Sequence, residues 1–156
     1  MRDNGQVTNR EVLMKDKDIL VSGTDTGGRI QFTNKTFVDI SGFAEDELIG
    51  APHNIIRHRD MPKEAFANLW ETIKSGLPWQ GLVKNRSKNG DHYWVRANVT
   101  PVIENGAVSG YLSIRTKPSE ADKKRAEQVY ADLRNGKAQN IGLEQGEIVE
   151  TGPVAR

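Results

Sequence analysis

Apolar and polar residues alternate in two short runs near the start of the chain, Leu20 to Asp25 and Arg29 to Thr33. Thr26-Gly27-Gly28 separates them, and its glycines suit a tight reversal, so the pattern predicts a β-hairpin. Asn34 is placed to cap a short helix through Ser41, with Phe37, Val38 and Ile40 turned to the core and Gly42 as the stop. Glu45 to Ile49 allows one or two further helical turns before Gly50 and Pro52. The period then changes: Phe66, Leu69, Trp70 and Ile73 recur at i, i+3, i+4 and i+7, which predicts a helix from Asp60 to Ser75. Asp60 is its expected cap, Pro62 lies in the first turn where no hydrogen bond is lost, and Gly76 and Pro78 end it.

Three strands are predicted after it: Gln80 to Ser87, His92 to Glu104 and Ala107 to Thr116. The intervening turns, Lys88-Asn89-Gly90-Asp91 and Glu104-Asn105-Gly106, force an antiparallel meander. Ser119 and Asp122 open a last helix whose stripe is Ala126, Val129, Tyr130 and Leu133, stopped by Gly136. Two strand blocks with the helices between them indicate an α+β domain with one antiparallel sheet and helices on one face. Residues 1–18 are too polar to bury a face and read as a flexible or loosely docked cap. Residues 19–117 form the domain, 118–136 the C-terminal helix, and 137–156, polar and glycine-rich, a linker toward a following module.

Composition narrows the function classes. The chain has 156 residues, with 22 basic and 21 acidic side chains for a net charge of +1, so no field marks a nucleic-acid or membrane-surface binder. There is no cysteine, which removes disulfides, thiolate metal sites and thiol nucleophiles. No apolar run approaches a membrane span and the first residues carry no secretory pattern, so the segment is expected to be cytoplasmic without direct membrane contact.

One residue breaks the strand pattern. Tyr93, Val95, Ala97 and Val99 take the core side of the long middle strand, and the charges at Lys84 and Arg86 put the odd positions of its neighbour inward as well. That parity requires paired residues to differ by an even number. The turn is then a three-residue loop with Gly90 in the left-handed conformation, and Asn85 falls on the core side. An unsatisfied buried amide costs roughly 1–3 kcal/mol, so a backbone group, a water or a ligand must meet it. A primary amide donates and accepts side by side, which suits the edge of a heterocycle that does the same.

The second concentration of chemistry is the loop from Gly50 to Asp60. It carries His53, Asn54, Arg57, His58 and Arg59, a donor set able to hold a phosphate or pyrophosphate. His53 and His58 are poorly spaced for a metal, and no serine sits in a nucleophile elbow. Haem ligation through His53 or His58, or an empty interaction module, stays open on these residues alone.

These motifs resemble a known family. Thr24-Asp25, Gly28-Arg29-Ile30, Thr33 to Phe37, Ser41-Gly42-Phe43 and Glu47 to Gly50 look like the first half of a PAS domain. Pro52 to His58, Asp60-Met61-Pro62, Phe66, Leu69-Trp70, Pro78-Trp79, Val83 to Arg86 and Lys88 to Asn98 resemble the PAS domains of bacterial aerotaxis receptors, a match running from about Val7 to Gly136. The resemblance implies a PAS fold, a five-stranded antiparallel sheet with helices across one face enclosing a cofactor pocket. It also implies non-covalent FAD, no enzymatic activity, and relay of the flavin redox state to a chemotaxis signalling domain of the same receptor, with PAS–PAS dimerisation and membrane anchoring of the full receptor.

In light-sensing flavin-binding relatives, an Asn at the position of Asn85 meets the polar edge of the ring, and Val95 and Arg115 line up with further flavin-facing positions. Their photoreactive cysteine aligns with His53, so a light-driven thiol adduct is unavailable here. Arg57, His58 and Asp60 match residues that aerotaxis receptors need for FAD, with Asn34, Trp70, Trp79 and Asn98 as similar candidates. Strand parity turns Asn98 away from the core, toward a signalling surface. Two departures stand out: Arg59 occupies a place where the family commonly has Pro, and Val95 replaces a second ring-facing Asn.

Overall fold

The computed structural model describes residues 4–150. Five strands form one antiparallel sheet in the order β2-β1-β5-β4-β3, with β1 at Leu20–Thr24, β2 at Ile30–Thr33, β3 at Trp79–Arg86, β4 at His92–Glu104 and β5 at Ala107–Thr116. Helices α1 (Lys35–Ser41), α2 (Glu45–Leu48), a 3-10 turn (His53–Ile56) and α3 (Lys63–Lys74) follow β2. The architecture is the α+β PAS arrangement that the sequence implies.

Local chemistry fixes these elements. The Asn34 side chain accepts from the Phe37 and Val21 amides at 3.1 and 3.0 Å and donates to the Ile19 carbonyl at 2.8 Å, capping α1 and tying it to β1. The β3–β4 turn has Gly90 at φ 100° and pairs Arg86 with His92, Asn85 with Tyr93 and Val83 with Val95. That even-difference register puts Tyr93 and Val95 at 0 % exposure and Asn85 at 3 %.

The helix α3 starts later than its pattern suggests. Pro62 rather than Asp60 is the cap, and Asp60 instead bonds Lys84 Nζ at 2.7 Å. An ammonium facing a carboxylate in a half-buried setting outcompetes amides that water can reach. Lys84 is consequently buried and paired rather than solvent-facing.

The far face of the sheet is covered too. Helix α4 (Glu120–Arg134) buries Ala126, Val129 and Tyr130, stacks Tyr130 on Trp94 with ring centres 6.3 Å apart, and donates from the Tyr130 hydroxyl to the Leu82 carbonyl at 2.6 Å. The segment ahead of β1 is docked, not loose. Its backbone pairs with the β3–β4 turn and β4 through Thr8 N to Gly90 O, His92 N to Arg10 O and Val12 N to His92 O, at 2.7–3.0 Å. Met14 is buried beneath it. Too few apolar residues predicted weak docking; backbone hydrogen bonds supply what side chains lack.

A second departure lies near the other end. Ile141–Glu144 (β6) and Glu147–Glu150 (β7) form a hairpin where the composition predicts a linker. Asn140 and Gly146 take positive φ, a conformation those residue types tolerate, and Ile141, Leu143 and Ile148 pack against the core. The remaining part of the expected linker, residues 151–156, lies outside the described residues, as do residues 1–3 of the cap.

Candidate functional site: a polar-ended cavity between the sheet and α3

A cavity of about 190 Å³ lies between the inner face of the sheet and α3. Phe66, Leu69, Trp70 and Ile73 come from the stripe of α3; Trp79, Val83, Asn85, Ala97, Val99, Tyr111, Ser113 and Arg115 come from β3, β4 and β5; the loop adds His53, Asn54 and Arg57. The loop is stitched at both ends. His53 N donates to Gly28 O at 2.9 Å, and Arg57 makes a bridge to Asn85 on β3. From outside, the Asn4 amide donates to the carbonyls of Asn54 and Arg57 at 3.0 and 2.8 Å.

The walls that α3 and β4 give the cavity are apolar, and a fully buried charge lies at one end. There Arg115, 2 % exposed, donates from Nη2 to Ser22 Oγ at 2.8 Å and to His53 Nε2 at 2.5 Å, and lies over the Phe37 ring at 4.8 Å. Ser22 Oγ also lies 3.0 Å from the same His53 nitrogen. No carboxylate among the described residues pairs with Arg115. Burial lowers its pKa to about 10, still above neutrality, so a buried positive charge stands there without a partner of opposite sign. Burial, reinforced by Arg115, lowers His53 to about 3, which fixes it as a neutral imidazole accepting on Nε2.

Beside this end, the Asn85 carboxamide lies against the Tyr93 hydroxyl. That hydroxyl is fully buried with no well-aligned hydrogen-bond partner, and burial raises its pKa. At the mouth, Arg57 stacks on Phe66, guanidinium to ring centre 3.6 Å, and its Nε has no partner. Burial lowers the Arg57 pKa.

Of the residues singled out in the sequence, the structure brings Asn85, Arg57, His53, Asn54, Trp79, Trp70 and Arg115 to the cavity. The other five lie elsewhere. Asn34 is spent on the α1 cap. Val95 is buried in the sheet core outside the lining.

His58 and Asp60 form a separate cluster under the N-terminal segment. His58 Nδ1 accepts from the Asp60 amide at 3.0 Å, its ring stands edge-on to His92 at 5.9 Å, and Asp60 pairs with Lys84. Any effect of this pair on a ligand therefore passes through the loop. Asn98 faces away from the cavity and bonds Gln80. Ser113 lines the cavity, with Ser22 behind Arg115 and Tyr93 behind Asn85; sequence reasoning singled out none of the three as a site residue. The alternation Leu20, Ser22, Thr24 on β1 carried a signal for Ser22, since small polar residues held the inward positions.

A family profile described as the PAS fold matches residues 30–115, more than half of the chain. The chain belongs to the PAS family. Over 97 % of its length this PAS domain is 45 % identical to the aerotaxis receptor of Escherichia coli K12, of which it spans 30 %. A nitrogen fixation regulatory protein of Klebsiella pneumoniae is 24 % identical over 66 % of the chain, which spans 21 % of that protein. The PAS domain thus spans less than a third of the curated relatives named. A light-oxygen-voltage domain solved in work on a flavin analogue superposes with a TM-score of 0.64 at 18 % identity, covering 70 % of this chain and 84 % of that one. That likeness establishes the fold. Among the described residues no helix is long and apolar enough to cross a membrane, and no three His, Asp or Glu side chains are grouped for a metal.

Proposed function

We propose that this PAS domain is the redox and oxygen sensor of an aerotaxis chemoreceptor, holding FAD non-covalently and relaying its redox state to a signalling domain of the same receptor. The observation that carries the reading is the polar end of the cavity: Asn85 and an uncompensated Arg115 line it opposite the apolar walls of α3 and β4, with the buried Tyr93 hydroxyl behind Asn85. A flat heterocycle with alternating donors and acceptors along one edge satisfies both lining groups. The aerotaxis receptor of E. coli, 45 % identical here, and the flavin-analogue work on a light-oxygen-voltage domain lend support from outside the chain.

The fit has a condition. Small-molecule sites usually run from about 300 Å³ upward. The cavity is about 190 Å³, so a three-ring guest must push a wall outward. Trp70 and Leu69, both partly exposed on α3, are able to give way. Arg57, with an unpartnered Nε at the mouth, is then placed to meet the phosphates of a dinucleotide.

When bound, flavin supplies reversible uptake of electrons and protons. The protein's part is to register that change. Asn85 holds a reversible amide, so a changed donor pattern at its edge turns the carboxamide and alters what β3 and Tyr93 can bond. His53, neutral and locked on Nε2 by Arg115, orients that guanidinium without competing for protons. The engaged Nε2 is not available as an axial haem ligand. A sensor role without turnover, a cytoplasmic setting and PAS–PAS dimerisation belong to the same proposal.

Purification followed by denaturation tests it directly. The expected protein is yellow and releases FAD; a Soret band, or a colourless protein that takes up no added FAD, overturns the reading. Asn85→Ser is expected to weaken FAD retention by about tenfold or more, the scale of one lost buried hydrogen bond to a ligand.

A further inference from the structure

The β6–β7 hairpin does more than fold back on the domain. Its tip is bonded to the same residue that walls the cavity. Trp79 lines the cavity at 2 % exposure, and its indole Nε1 donates to Asn68 Oδ1 at 2.8 Å. That oxygen also accepts from the Gly146 amide at 2.8 Å, while Asn68 Nδ2 donates to Leu143 O at 3.1 Å. One carboxamide on α3 therefore joins the cavity wall to β6 and to the turn of the hairpin. Gln80 N to Gln145 O at 3.0 Å and Gln145 Nε2 to Pro78 O at 3.0 Å fasten the tip on either side of Trp79.

The fit around Trp79 leaves no slack. A Cβ on Gly146, which sits at φ 90°, would lie 2.3 Å from Gln80 O and 2.8 Å from Trp79 Cε2. A Cβ on Gly81 would lie 2.7 Å from the Trp79 ring and 2.9 Å from Gly146 O. The indole is thus clasped between the cavity on one side and the hairpin tip on the other. On the outer surface, Arg96 of β4 pairs with Glu147 at 2.9 Å, which extends the contact to the opposite face of the sheet.

We propose that the β6–β7 hairpin is a strap that reports the filling of the cavity, with Trp79 as the shared wall and Asn68 as the joint. The cavity is smaller than a heterocyclic guest requires, so filling it presses on Trp79 as well as on Trp70 and Leu69, and the tip behind Trp79 has no room to receive it. The strap then loosens from β3 and from Asn68. Coupling is reciprocal: whatever breaks the joint changes the affinity of the guest by the same factor that the guest changes strap docking. Asn68 is a positioning residue in this scheme, since it does not line the cavity.

This rests on the flavin reading for the identity of the guest, and the test separates the two. Amide hydrogen exchange at Gly146 and Gln80, and the indole N–H of Trp79 by NMR, are followed in the full chain with and without added FAD. FAD is expected to speed exchange at both amides by about fivefold or more, the lower end of measured couplings, and to shift the indole signal. In Asn68→Leu both amides are expected to exchange fast from the start and to ignore FAD, although FAD is still taken up. FAD uptake with unchanged or slower hairpin exchange overturns the strap. If FAD is not taken up at all, the flavin reading falls and the strap is decided by Val99→Phe. That substitution adds bulk inside the cavity at the cross-strand partner of Trp79 without any ligand. Faster exchange at Gly146 in Val99→Phe supports the strap, and parental exchange overturns it.

Discussion

Two histidines five residues apart in one loop sit in charge clusters of opposite kind. His53 faces the cavity and is held by Arg115, a buried cation with no anion beside it among the described residues. His58 lies on the outer side with Asp60 and Lys84, where carboxylate and ammonium meet at 2.7 Å. The outer cluster balances itself and needs nothing more. The inner one carries a charge that only a guest or water can answer, which is the physical difference between a group that holds a fold and a group that waits for a ligand.

That contrast can be broken by pH first, with the largest effect. Burial and the neighbouring cation lower His53 to about 3 and His58 to about 4; for His58, Asp60 pulls the other way and loses. Folded, both stay neutral while the unfolded chain titrates near 6.5, so the folded state binds fewer protons in acid. Stability from these groups is complete above about pH 6.5 and falls below it, by about 1.4 kcal/mol per pH unit for each histidine. His53 and His58 together are expected to contribute about 4 kcal/mol to the difference between melts at pH 7 and pH 5, with His92, also lowered by burial, adding to it, and His53→Gln or His58→Gln should each remove about 2 kcal/mol. An unchanged slope in His58→Gln would show the outer cluster to be wetter than its burial implies.

A smaller effect is expected from opening the balanced cluster. Burial alone would raise the Asp60 pKa, but hydrogen bonding to Lys84 and its charge outweigh that and lower it. Asp60→Asn leaves Lys84 buried without its anion. The expected loss is about 2 kcal/mol in urea melts at pH 7, less than for a fully enclosed pair because Asp60 reaches solvent. The depressed carboxyl makes this contribution full above its unfolded value near 3.9 and lost as pH falls below it, so the difference between parent and variant should vanish toward pH 2. That window lies below the one in which the histidines act.

Removing the unanswered charge should cost least of all. Arg115→Met is expected to change the stability of the FAD-free protein by less than about 1 kcal/mol, because the desolvated cation that leaves offsets the hydrogen bonds lost. FAD retention should nevertheless be abolished. A melt lowered as far as that of Asp60→Asn would place Arg115 among the groups that hold the fold.

The order of elements and the inward turn of Asn85 were legible because each follows from a short-range rule. Alternation of period 2 and the lysine and arginine at 84 and 86 set the strand faces, and an even register followed from them. The rule misled at Lys84 itself, where position gave the face but could not show that Asp60, 24 residues earlier, was waiting for it. Asp60 was read as a cap for the same reason, since local amides are visible in sequence and a distant ammonium is not. His58 and Val95 matched the family motif yet fall outside the cavity lining, which shows that a motif marks a loop or a strand, not the direction of each side chain. The hairpin at 141–150 was invisible because its strands are four residues long and its packing surface is supplied by Trp79 and Asn68.

The docked stretch ahead of β1 carries a practical lesson for handling this protein. A single side chain, Asn4, clamps the loop that bears His53 and Arg57, and Arg59 returns the grip through the Gly5 carbonyl at 2.7 Å. A purification tag or fluorescent fusion placed ahead of Asn4 would tug on the loop that lines the cavity, so labels belong on the β4–β5 turn around Asn105, where a Cβ added at Gly106 would meet nothing within 4 Å.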